Sequence, residues 1–205
     1  MLCGKTVGLR AIESHDLPQL LAWRNDPRLR RYFREYRELN LAQQRQWFET
    51  RVNNDPTTRM FAIVERGRGG GGGGHTAGRL LGACGLCYID WVNRTADFSL
   101  YIGADDLYID ERFAPDAAVA MIDYGFDELG LHRLWSEIYS FDAPKQRLFT
   151  ALGFALDGRH RQTHWAEGAW HDSLYYSLLS TDRRPRLPAP PALPEGKAPG
   201  NAEAK

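Results

Sequence analysis

The chain has 205 residues, 43% hydrophobic and 25% charged, which suits one soluble domain with a sizeable core. Lys plus Arg and Asp plus Glu each number 26, so no global charge draws the chain to nucleic acid or an anionic membrane. No apolar run is long enough to span a bilayer, and Met1–Lys5 has no signal-peptide character, so a cytoplasmic protein is expected.

Lys5 to Ile12 reads as a first strand. Ser14-His15-Asp16 opens a helix that carries Pro18 in its first turn and ends near Asn25-Asp26-Pro27. Asn40, with Gln43 three residues on, forms the capping box of a second helix that ends near Asp55-Pro56. Three strands are predicted at about 59–65, 79–90 and 94–103. Residues 66–78, rich in glycine, read as a flexible hairpin loop between the first two. A phosphate-binding loop would need a helix to follow, and a strand follows instead. Val119, Ile122, Phe126 and Leu129 recur at helical spacing, with Gly130 placed to end the helix. Arg133–Tyr139 is the next strand, Ala143–Leu152 a short helix, and two strands at about 154–165 and 170–179 flank the turn Glu167-Gly168. Residues 1–181 therefore form one α/β domain in the order β-α-α-β-β-β-α-β-α-β-β. Residues 182–205, rich in proline, alanine and charge, are expected to be a disordered tail.

Cys84 and Cys87 form a C-x-x-C within a predicted strand. Residues three apart on a strand face opposite sides, so these read as packing cysteines. His160, His164 and His171 sit on the final hairpin. A metal site there would need further geometry and support, and surface histidines are the simpler reading, so no metal is expected. Arg28 to Arg37 mixes basic and aromatic residues. It reads as a substrate-side wall or dimer surface rather than a nucleic-acid site. Trp165 and Trp170 flank the last turn and suit either a subunit interface or a cap on the core.

The element order resembles the GNAT acyltransferase fold, and particular segments strengthen the likeness. Ile89 to Gly103 resembles a central hairpin of that family. Ile122 to Leu134 resembles its third helix running into its fifth strand. Leu148-Phe149-Thr150-Ala151-Leu152-Gly153-Phe154 resembles the end of its fourth helix. Trp23-Arg24-Asn25-Asp26-Pro27 is similar to a segment of the ribosomal-protein and amino-sugar N-acetyltransferase branches. The resemblance covers about residues 5–180. It implies a mixed, mostly antiparallel sheet with helices on both faces and splayed fourth and fifth strands. It also implies acetyl-CoA as acyl donor and direct attack by a primary amine of a protein N-terminus, an amino sugar or a small amine. A homodimer is a candidate assembly.

The resemblance places a catalytic carboxylate at Asp97, acting through water, with an exposed strand carboxylate as the equal alternative. It places pantetheine along Leu100, Tyr101 and Ile102, and pyrophosphate at Arg112, Phe113, Ala114 and Asp116 beside the third helix. Asp142 and Phe149 fall at two further cofactor-side positions, and Arg34, Tyr36 and Arg37 on the acceptor side. Several positions depart from the family pattern. Arg112 stands where a glycine belongs, Asp110 and Glu111 add negative charge beside an anion, Pro115 lacks an N–H, Asp142 stands where asparagine is frequent, and Phe149 replaces the tyrosine that usually protonates the leaving thiolate. Two lost charge-assisted bonds would weaken CoA binding by about two to three orders of magnitude. The alternative expectation is therefore a GNAT-fold binding or assembly module that no longer holds acetyl-CoA.

Overall fold

A computed structural model describes residues 1–66 and 78–183. The elements in chain order are β1 (Leu2–Cys3), β2 (Val7–Ala11), α1 (Leu17–Asn25), α2 (Pro27–Arg30), α3 (Leu41–Trp47) and β3 (Arg59–Glu65). Then follow β4 (Leu80–Asp90), β5 (Thr95–Ile102), α4 (Phe113–Asp123), β6 (Arg133–Tyr139), α5 (Ala143–Ala151), β7 (Ala155–Ala166) and β8 (Ala169–Leu179). The two-residue β1 and the single turn of α2 are absent from the expected order. Both are too short to leave a hydrophobic period. The expected helix starts are realised chemically. Asn40 accepts from the Gln43 amide at 2.9 Å while the Gln43 side chain accepts from the Asn40 amide at 2.9 Å. Gly130 has φ +64°, a left-handed turn that glycine adopts without strain.

Among the described residues the strands form one sheet in the order β1-β2-β3-β4-β5-β6-β8-β7. Every neighbouring pair is antiparallel except β5 and β6, which run parallel. Strand alternation divides the core. Ala96, Phe98, Leu100 and Ile102 of β5 pack with α4 and α5 on one face. Tyr101, with α1 and α2, packs on the other, where α3 lies against the cluster. A side chain at Gly103 would strike the Trp23 ring, with a Cβ only 2.1 Å from it, so glycine lets α1 close onto the end of β5.

Cys84 is buried in the first core. The Cys87 thiol lies on the other face, 3.7 Å from the Met60 sulfur. The two sulfurs thus face opposite sides, and burial pushes the Cys87 thiol up to about 12. Most of the expected loop 66–78 and tail 182–205 lies outside the described residues. Asp182 and Arg183, assigned to the tail, belong instead to the folded body. The Asp182 carboxylate accepts from the Leu179 amide at 3.1 Å, and Arg183 pairs with Asp127 at 2.6 Å and with Asp123.

Asp116, in the first turn of α4, fastens the N-terminal turn to the domain. Its carboxylate accepts from the amides of Lys5 (2.9 Å), Thr6 (2.6 Å) and Val7 (3.0 Å) and from the Thr6 hydroxyl (3.0 Å). Burial opposes its charge, but these donors outweigh burial and hold the carboxyl below its usual range. Asp116→Ala is expected to lower unfolding stability by about 2–3 kcal/mol in urea titrations at neutral pH. Because the folded value is depressed, the wild-type advantage should be present above the ordinary carboxylate range and fade as pH falls through the folded value. Equal stabilities at neutral pH would contradict this role.

Candidate active site

The parallel ladder between β5 and β6 has three pairs, Thr95 with Arg133, Ala96 with Leu134 and Asp97 with Trp135, and then stops. Beyond Asp97 the strands diverge. The Gly103 amide donates to the Leu81 carbonyl on the β4 side at 2.8 Å, whereas the Ile102 amide donates to the Tyr108 carbonyl at 2.9 Å. Alternation along the strand puts Leu100 on the same edge as Ile102, so the Leu100 peptide group faces the gap. A cavity of about 360 Å³ occupies this gap. Asp97 stands at its apex, with Glu137 and Tyr139 of β6, Leu100 of β5 and Lys145 of α5 among its walls.

Asp97 and Glu137 share one face because their strands alternate in step from the paired residues Asp97 and Trp135. The turn after α2 lays Arg34 across both. Arg34 Nη1 is 2.6 Å from Asp97 Oδ2, and Nε is 3.3 Å from Glu137 Oε2. Glu137 also accepts from the Ser173 hydroxyl at 2.5 Å. Asp97 is 3% exposed, and burial pushes its carboxyl above the usual range although Arg34 pulls the other way. Burial opposes the Arg34 charge too, yet Asp97 and Glu137 more than offset it, so Arg34 stays protonated. Next to Asp97 on β4, Tyr88 has φ +51° where the register slips between Cys87 and Asp90. Such a bulge re-aims the strand beside the cavity.

The opposite wall is built at the start of α5. Asp142 caps the helix through the Lys145 amide at 3.0 Å and accepts from the Tyr108 hydroxyl at 2.8 Å. Tyr108 is in turn stacked on Tyr32, ring centres 4.0 Å apart. Burial pushes the Asp142 carboxyl up, against the pull of Lys145 and Tyr108. The Lys145 side chain reaches into the cavity and is 9% exposed. Burial lowers its ammonium from the usual lysine range, against the attraction of Asp142 and Asp97 and together with repulsion from Arg34. Burial pushes the Tyr139 phenol up to about 12.

The structure gathers some expected residues and leaves others aside. Asp97, Leu100, Asp142 and Arg34 line the cavity. Tyr101 is buried edge-on against Phe33, and the Ile102 amide is already engaged by Tyr108. Tyr36 is 79% exposed outside the cavity, and Arg37 is paired with Glu35 at 2.7 Å. Phe149 is fully buried between Phe98 and Phe154, at 5.4 and 4.6 Å. With no polar group to present, its ring joins the core instead of the cavity wall. Asp116 is committed to the Lys5–Val7 turn.

Arg112 points away from the gap. It lies over the Phe113 ring, 4.5 Å from its centre, and 3.6 Å from Glu65. The amides of Arg112, Phe113 and Ala114 all donate to the Asp110 carboxylate, at 3.2, 2.8 and 2.7 Å. An acyl-CoA therefore fits this site unevenly. The free edge at Leu100 suits the amide-bearing pantetheine arm, which can add to it like a strand. The α4 terminus does not suit the pyrophosphate, because its donors are already used. Glu137 and Lys145 were not among the residues expected to shape the site, and Asp110, expected only as a negative charge beside the anion, occupies the helix start directly. His164 and His171 pair across the β7–β8 hairpin, and the His164 ring stacks on Tyr139 at 3.8 Å. Trp165 and Trp170 meet edge to face at the exposed hairpin tip.

Lys145→Met keeps the chain length and removes a buried charge. It is expected to raise neutral-pH stability, because burial outweighs the attraction of Asp142 and Asp97 for this ammonium. The lowered folded value means that the wild-type penalty is present at neutral pH and disappears as pH rises toward the ordinary lysine range. Thermal melts of both proteins across that range check this; a less stable variant at neutral pH would contradict it.

The family described as "Acetyltransferase (GNAT) domain" matches residues 6–155. The uncharacterized N-acetyltransferase p20 of Bacillus licheniformis is 25% identical over 177 residues, 85% of this chain and 93% of that one. The spermidine N(1)-acetyltransferase of Escherichia coli K12 is 22% identical over 169 residues, 82% of this chain and 83% of that one. The crystal structure of spermidine N-acetyltransferase from Vibrio cholerae with CoA and spermine superposes with a TM-score of 0.75. It is 20% identical, covering 86% of this chain and 97% of that one. The matched span runs from the N-terminal turn to the start of β7 and contains both walls of the gap, so the chain belongs to the GNAT acetyltransferase family.

Proposed function

We propose that this enzyme transfers an acetyl group from an acyl-CoA-type thioester to the primary amine of a small cationic acceptor. The observation that carries this reading is Asp97, a buried carboxylate at the apex of the gap where β5 and β6 part. The donor supplies an acyl thioester, whose sulfur leaves as a thiolate. The Leu100 peptide group holds the amide-bearing arm, with the thioester directed toward Asp97. The acceptor's amine forms the new N–C bond while the C–S bond breaks. One amine proton passes to Asp97 through a water, and the departing sulfur takes a proton from the side of Lys145 and Tyr139.

Phe149 cannot supply that proton, since it has no ionisable group and lies in the core. Thiols ionise near 8.5 in the cysteine reference, so the thiolate leaves readily and a modest donor suffices. Asp97 and Glu137 are bridged by Arg34, so a cationic acceptor takes their charge only by displacing that guanidinium. The spermidine acetyltransferases among the relatives support the same class. The occupied α4 terminus is the observation behind the alternative of a non-catalytic module. Family membership and the concentration of buried charge at one cavity favour the enzyme. The cytoplasmic setting belongs to the same reading. So does a homodimer using the tip of the β7–β8 hairpin. No helix among the described residues is long and apolar enough to cross a membrane.

Asp97→Asn is expected to reduce kcat by about 10²-fold or more when diamines and polyamines are assayed with acetyl-CoA. In the wild type, activity should rise with pH along a limb whose midpoint lies above the ordinary carboxylate range, because the reacting form of Asp97 is the ionised one. That limb should vanish in Asp97→Asn. Unchanged kcat in the variant, or a preference for neutral over cationic amines, would contradict the assignment.

A further inference from the structure

The start of α4 is closed by the chain's own carboxylate. Asp110 takes the amides of Arg112, Phe113 and Ala114, and the next residue, Pro115, has no N–H to offer. These are the donors that a helix start would otherwise turn toward an outside anion. The nearby cation does not compensate. Arg112 rests on the Phe113 ring and faces Glu65. Asp116 keeps a second carboxylate in the same turn, held by three amides and a hydroxyl. A pyrophosphate arriving here would meet two fixed anions and no free amide at Arg112, Phe113 or Ala114. Asp110 is tethered beside the amides, so its effective concentration there exceeds that of any free ligand. The pantetheine end differs, because the Leu100 edge is unpaired by β6 and opens on the cavity.

We infer that this enzyme recognises its acyl donor through the acyl-pantetheine arm alone and gains no binding from the nucleotide pyrophosphate. The donor class is then any acyl thioester carried on a pantetheine arm, of which acetyl-CoA is one member. This inference rests on the reading of the cavity as an acyl-transfer site.

Calorimetric titration of the full chain with CoA and, separately, with pantetheine tests it. The expected dissociation constants agree within about threefold. Asp110→Ala frees the amides and should tighten CoA by about tenfold or more while leaving pantetheine unchanged. Asp110→Asn keeps an acceptor oxygen for the helix cap and removes the charge. It should shift CoA affinity in the same direction by less, and it serves if the alanine variant is unstable. Wild-type binding of CoA about a hundredfold tighter than pantetheine would overturn the inference and leave the proposed function standing. So would CoA affinity unmoved by both variants. Failure of the wild type to bind either thiol at millimolar concentration would overturn the proposed function and the inference with it.

Discussion

The structure turns on the early end of one ladder. β5 and β6 share three residue pairs, after which each is committed to its outer neighbour. β5 stays paired with β4 as far as Ile102, and β6 stays paired with β8 along its whole length. Neither strand can close the gap without breaking an outer ladder. The opening is therefore a product of sheet topology rather than of loop arrangement. It places backbone groups, a buried carboxylate and the start of α5 around one cavity.

Burying that much polarity disfavours folding and has to be balanced locally. Asp97 and Glu137 share Arg34, and Asp142 combines a helix cap with the Tyr108 hydroxyl. Burial still prevails at Asp97, Asp142 and Lys145, each pushed toward its neutral form. Shifted groups of this kind cluster at sites of proton transfer. At Lys145, where burial outweighs both carboxylates, removing the charge is expected to stabilise the fold while damaging its chemistry.

Much of the scaffold was legible in the sequence because it rests on local signals. The Asn40–Gln43 box, Gly130 and the strand Arg133–Tyr139 follow from capping chemistry and periodicity. Asp97 was legible through resemblance alone; its burial and its pairing with Arg34 were not. Glu137 was within reach, since it shares strand parity with Trp135, the partner of Asp97. Lys145 offered no local signal, because a lysine in a first helical turn is ordinary until the tertiary fold buries it. The phosphate-loop departures were seen at Asp110, Arg112 and Pro115. The decisive feature is the Asp110 side chain, which folds back on its own helix start. Asp116 looked like part of that loop and proved to hold the N-terminal turn, 109–111 residues away in sequence.

Two halves of one binding site thus have opposite character, open at Leu100 and internally satisfied at α4. Amide hydrogen exchange reads both at once, because each half is defined by what its peptide N–H groups bond to. With saturating acetyl-CoA, exchange should slow at Leu100 and stay unchanged at Phe113 and Ala114. Slowed exchange at Phe113 and Ala114 without any at Leu100 would contradict the role assigned to the parted strands.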